Sequence, residues 1–159
     1  MKLKDRCDKY SVQELRDLGK IVVEVTRKVL GHGNKPTPSF HIRNNMTNLY
    51  GQYCYSHKIF INPSTCETIS YFVGVTIHEY THHIQKGLKR NYDSSVKKHG
   101  YNNCPFEIEA ISNAKKYKKK VWKEVKRLMS ESNSWWSVWE IPHPWIIPYT
   151  QEWNYIRQE

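Results

Sequence analysis

The chain has 159 residues, with 25 Lys and Arg against 15 Asp and Glu, a formal net charge of +10 and 38% hydrophobic residues. That length suits one domain, 1–159, with a sizeable core. The absence of a long apolar run, or of an apolar stretch after Met1-Lys2-Leu3-Lys4, excludes a membrane span and a secretory leader and predicts a cytoplasmic protein. In that compartment Cys7, Cys54, Cys66 and Cys104 stay reduced, and without a Cys-x-x-Cys pair they do not make a zinc ribbon.

The first element is a helix. Ser11-Val12-Gln13-Glu14 has the spacing of a capping box, in which the serine hydroxyl and the glutamate carboxylate each accept from an otherwise unpaired backbone N–H. Val12, Leu15, Leu18, Val22, Val25 and Val29 then form an apolar stripe, and Gly31 and Gly33 end it. Next come Phe40-His41-Ile42-Arg43 and the stretch from Leu49 to Pro63, rich in aromatic and β-branched residues and broken by polar turns. These predict strands of a small antiparallel sheet against which the first helix packs.

From about Glu67 to Lys86 the pattern becomes helical again. Ile69, Phe72, Val73, Thr76, Ile77, Tyr80 and Ile84 recur at three- and four-residue intervals, with Ser64 or Thr65 as the cap and Gly87 as the stop. Inside it stands His78-Glu79-Tyr80-Thr81-His82, an H-E-x-x-H arrangement. Residues four apart share one helix face, so two imidazoles can grip one ion with Glu79 beside it. A hydrolytic zinc takes three protein ligands and leaves one position open, so a third ligand is required. The extension with Gly and His at the next two ligand-spaced positions is excluded, because Gln85 and Leu88 stand there. His83 is rotated about 100° from His82 and is not expected to share the ion.

The remaining candidate lies in a second long helical pattern, from Pro105 to about Met129. Glu107 is followed by Ala110 and Ala114 on the same face, small enough to let the two helices approach closely; Glu109, on roughly the opposite side, is the fallback and His99 the third choice.

His78-Glu79-Tyr80-Thr81-His82 with Glu107 and Ala110 resembles the gluzincin group of zinc peptidases, in particular its small, minigluzincin-like members, over roughly residues 40 to 115. The resemblance implies an α+β, zincin-like domain and a zinc ion held by His78, His82 and Glu107. It further implies Glu79 as general base and then acid, and a protein or peptide substrate bound as an added strand along Gly51–Tyr55 or Ile59–Ile61. Ile111 departs from the pattern, since many relatives carry there a polar group that orients a histidine ligand. Tyr101 or His99 is a candidate to stabilise the oxyanion.

The second metal helix carries Ile108, Ile111, Ala114, Val121, Trp122, Val125 and Leu128 on one face and Lys115, Lys116, Lys118, Lys119, Lys120, Lys123, Lys126 and Arg127 on the rest. Such a face is either solvated or in contact with an acidic partner such as nucleic acid, without base-specific reading. The last segment, 134–159, interleaves Trp135, Trp136, Trp139, Trp145 and Trp153 with Pro142, Pro144 and Pro148, and is expected to be an irregular strap packed on the domain. The sequence thus predicts a zinc metallopeptidase. The alternative is a non-catalytic, metal-stabilised accessory factor that binds nucleic acid or protein, although a purely structural site has no use for Glu79.

Overall fold

The computed structural model describes residues 6–46 and 48–131. A single 3-10 turn, Cys7–Lys9, leads into α1 (Val12–Leu30), then β1 (Ser39–Ile42), β2 (Gly51–Cys54) and β3 (Lys58–Ile61). Four helices follow: α2 (Pro63–Cys66), α3 (Ile69–Ile84), α4 (Leu88–His99) and α5 (Pro105–Glu131). The fold is therefore α+β, with five α-helices and one three-stranded sheet among the described residues. The strap expected at 134–159 lies outside the described residues.

The capping box forms as its spacing predicts. Ser11 Oγ accepts from Glu14 N at 3.1 Å and Glu14 Oε2 accepts from Ser11 N at 2.7 Å. Leu15, Leu18, Val22 and Val25 are buried, whereas Val12 stays exposed at the helix start. α1 lies so close to β1 that Gly19 has no room for a side chain: a Cβ there would stand 2.0 Å from the Phe40 ring.

The sheet differs from the antiparallel one expected. Its order is β1-β3-β2, with β2 and β3 antiparallel and β1 and β3 parallel. The connection 43–50 carries the chain past the place of one strand, so the β2–β3 hairpin returns β3 into the middle, where it must run alongside β1 in the same direction. The strand with the strongest apolar run takes that central position, and its Ile59, Phe60 and Ile61 are all buried. It cannot serve as an edge for an added strand; β2 can.

α3 begins later than the pattern suggested. Asn62, not Ser64 or Thr65, caps the single turn α2, its side chain accepting from Ser64 N. Glu67 then adopts φ 62°, which breaks the helical path, and Thr68 caps α3 by accepting from Tyr71 N. The helix is buried from Ile69 through His83, packed between α1, α5 and the sheet. Ala110 and Ala114, both fully buried, let α5 close on it. Gly51 plays the same part for β2, since a Cβ there would meet Val75 at 2.7 Å and Ile61 at 2.9 Å.

Gly87 adopts the left-handed conformation, φ 72°, and opens α4, a helix the sequence did not announce because only Leu88 of its residues is buried. α5 corrects two assignments on its faces: Ile108 is 51% exposed, and Lys118, grouped with the solvated lysines, is buried with its Nζ donating to Ser70 Oγ at 2.7 Å. No helix among the described residues is long and apolar enough to cross a membrane.

Candidate metal centre

A helix buried on every side has few uses for polar side chains, so each one in α3 needs a partner. Thr76 and Thr81 donate back to the carbonyls of Phe72 and Ile77, one turn earlier. Ser70 receives Lys118. His83 is tied on both sides, its Nε2 2.8 Å from Pro36 O and its Nδ1 3.2 Å from Tyr53 Oη. Because the Pro36 carbonyl can only accept, Nε2 carries the proton and Tyr53 donates to Nδ1. Burial pushes the His83 pKa down to about 4, which keeps this ring neutral. His83 thus belongs to the scaffold, as its position on the helix implied.

His78 and His82 stand on either side of Glu79 in the chain, and the two histidines meet Glu107 from the first turn of α5. His78 and Glu107 are fully buried and His82 is 3% exposed. His78 Nε2 lies 3.0 Å from Glu107 Oε2, His82 Nε2 lies 3.3 Å from Oε1, and the two Nε2 atoms are 3.1 Å apart. A tetrahedral zinc with bonds of about 2.0 Å separates its donors by about 3.3 Å. The cluster therefore has the donor spacing of a zinc site, with one ligand atom from each residue lying within 4.8 Å of the others.

Burial lowers the pKa of His78, outweighing the pull of Glu107 toward the charged form, so this imidazole is neutral. Burial would raise the Glu107 carboxyl, but the His78 and His82 rings beside it overcome that and hold the group far below the usual carboxylate range. A divalent ion would take the ionised carboxylate as it stands and the Nε2 lone pairs of the two imidazoles, releasing any proton those nitrogens share with Glu107.

Around the cluster stands a polar frame that the sequence did not disclose. Gln85 Oε1 lies 2.8 Å from His82 Nδ1, so His82 donates to it from the nitrogen that faces away from the cluster. The amide nitrogen of Gln85 donates to Phe106 O and to Glu109 Oε2, both at 2.8 Å. Glu109, the fallback ligand, is thus outside the cluster and braces Gln85 instead. Gln85 also supplies the orienting group missing at Ile111, from the residue that caps the end of α3 rather than from α5. Its spacing of three residues after His82 was the available signal.

Two tyrosines complete the frame: Tyr92 Oη donates to Glu107 Oε1 at 2.6 Å and Tyr101 Oη to Oε2 at 2.9 Å. Tyr101, which the sequence offers as an oxyanion donor, is thus bonded to the Glu107 carboxylate, and Tyr92 reaches it from α4. His99 is exposed at the end of α4 and takes no part. Cys104 is buried with its Sγ 3.5 Å from Ser95 Oγ, and the other three cysteines are also free thiols.

A cleft of about 200 Å³ opens beside the cluster. It is lined by Tyr53 of β2 and Tyr55 just beyond it, by Leu88 and Tyr92 of α4, and by Glu79 and His82. A larger hollow of about 370 Å³, near Cys7, Leu15, Pro63 and Glu67, includes none of the cluster residues. Compared with protein-family models, with curated proteins and with solved structures, the chain matches none. The class to which the site belongs is therefore argued from its own geometry.

Proposed function

We propose that the chain is a zinc-dependent metallopeptidase of zincin-like design that hydrolyses peptide bonds, with zinc held by His78, His82 and Glu107. The observation that carries this reading is the convergence of those three buried side chains, with Glu79 lining the cleft that opens onto His82. A zinc ion bound there would supply Lewis acidity, enough to polarise a carbonyl and to make water acidic near neutral pH.

The chain's own residues do the rest. Glu79 accepts the proton of the attacking water and delivers it to the leaving amine nitrogen as the C–N bond breaks. Tyr53 and Tyr55 line the cleft, and β2 is an edge strand of the sheet among the described residues, where an extended peptide can pair its backbone as a fourth strand. That edge is held in place by Tyr53, whose hydroxyl is fixed by His83. Gln85 keeps the His82 ring turned toward the cluster, while Tyr92 and Tyr101 each donate to one oxygen of the Glu107 carboxylate and fix its position.

The test is hydrolysis of a mixed peptide library by zinc-loaded protein, with products read by mass spectrometry. Wild type yields new amino termini that Glu79→Gln does not, while the variant keeps its metal. Equal cleavage by both, or none by a fully loaded wild type on peptides and unfolded proteins alike, defeats the proposal.

A further inference from the structure

α5 gives its first turn to the metal cluster and its apolar side to the core, where Ala110, Ala114, Val121, Trp122 and Val125 are all fully buried. What remains exposed in its middle is a row of cations. Lys115, Lys116, Lys119, Lys120 and Lys123 are exposed, and at 100° per residue they occupy one arc of the helix. No acidic residue interrupts α5 between Glu109 and Glu124. Among the described residues none of the five forms an ion pair, whereas Arg127 at the end of the row is matched by Glu124 and Glu131. The row is therefore uncompensated charge, bounded at both ends.

We infer that this face of α5 binds the phosphate backbone of duplex nucleic acid, without reading its sequence. Three partners could answer such a charge, and the composition of the face decides between them. A protein interface is rich in aromatic residues and poor in lysine at its centre. Here the order is reversed, since Trp122 is buried and Tyr117 lies partly covered with Lys116 Nζ over its ring at 5.1 Å. A helix that lies on a membrane needs an apolar face to insert, and that of α5 is spent on the core. Ile108, the exposed large hydrophobic of α5 among the described residues, precedes the first lysine by two turns.

Duplex phosphates ask only for regularly spaced positive charge. From Lys115 to Lys123 the helix rises about 12 Å, a length over which a duplex presents about seven phosphate charges. Lysine meets phosphate as a point charge and needs no fixed fork geometry, so exposed, flexible side chains serve. The net charge of +10 adds a long-range field in the same sense. The lysines begin about two turns beyond Glu107 on the same helix, so a bound duplex would lie alongside the metal cluster without entering it.

The inference is independent of whether the cluster holds zinc or cuts peptides, and its test uses neither property. The full chain is titrated into a labelled, mixed-sequence DNA duplex of about two helical turns, and fluorescence anisotropy gives the affinity as salt is raised. If each of the five lysines neutralises one phosphate, they contribute a slope of about −4.5 in log K against log salt, or about 500-fold over a fourfold rise in salt. Replacing all five with glutamine removes that share of the slope. Neutralising Lys9, Lys20, Lys58, Lys97 and Lys98 instead, an equal loss of charge elsewhere, leaves most of it. Thermal unfolding confirms that both variants fold. The inference is overturned by wild-type protein that binds no duplex at low salt, by a control variant that loses as much slope as the α5 variant, or by tighter binding to phosphatidylserine vesicles or polyglutamate than to DNA at equal salt.

Discussion

Replacing Gln85 with leucine keeps the volume of the side chain and removes three polar contacts at once. His82 loses the acceptor 2.8 Å from its Nδ1, and Phe106 O and Glu109 lose their donor. The imidazole is then free to rotate or to change tautomer, so the nitrogen facing the cluster is no longer the one with a free lone pair. Loss of such an orienting partner lowers metal affinity by about 10- to 100-fold, which corresponds to about 1.4–2.7 kcal/mol. The metal-free protein should also lose about 1–3 kcal/mol of stability, because Phe106 O gives up that bond in a partly buried setting. Zinc competition against a chromogenic chelator reads the first quantity, and chemical denaturation of the metal-free form reads the second. In parallel, Glu109→Gln leaves the Gln85–Phe106 bond in place and should bind zinc within about threefold of wild type. A folded Gln85→Leu protein with wild-type zinc affinity would refute the role assigned to Gln85, and a large loss in Glu109→Gln would return Glu109 to the list of ligands.

Gly19→Ala should destabilise the fold by about 1–3 kcal/mol, measured by thermal unfolding, because the new methyl would collide with the buried Phe40 ring; unchanged stability would mean that α1 and β1 are not in the contact described. Tyr92→Phe removes the donor 2.6 Å from Glu107 Oε1 and should cost the metal-free protein about 1–3 kcal/mol in denaturant titrations, with no change in secondary structure. His83 has a folded-state pKa lowered to about 4 from 6.5, so the unfolded chain binds the extra proton first. Its contribution is therefore fully present above about pH 6.5 and is lost as pH falls toward 4, by at most about 3 kcal/mol. Metal-free His83→Gln protein, compared with wild type across that range, should show a shallower acid decline.

Much of this was legible because it is local. The capping box at Ser11, the stripes of α1 and α3, and the pairing of His78 with His82 depend on spacings within one helix. Glu107 could be selected over Glu109 because Ala110 and Ala114 mark the face of α5 that meets α3. What the sequence hid is set by tertiary position. The parallel pairing of β1 with β3 follows from where the 43–50 connection delivers the hairpin, which no alternation pattern encodes. α4 carries one buried residue and so lacks a clear apolar stripe, and Tyr92 was concealed with it. Lys118 reads as one more exposed lysine until its helix is seen to turn that position toward Ser70. Gln85 looks like a helix-terminal polar residue, and only the return of α5 brings Phe106 and Glu109 to it.

The central claim is that His78, His82 and Glu107 hold one metal ion that Glu79 does not ligate. Elemental analysis of purified protein after zinc loading and dialysis tests it most directly. Wild type and Glu79→Gln should each retain about one zinc per chain, and Glu107→Gln should lose it. Absence of zinc from the loaded wild type, or its undiminished retention in Glu107→Gln, would contradict the account.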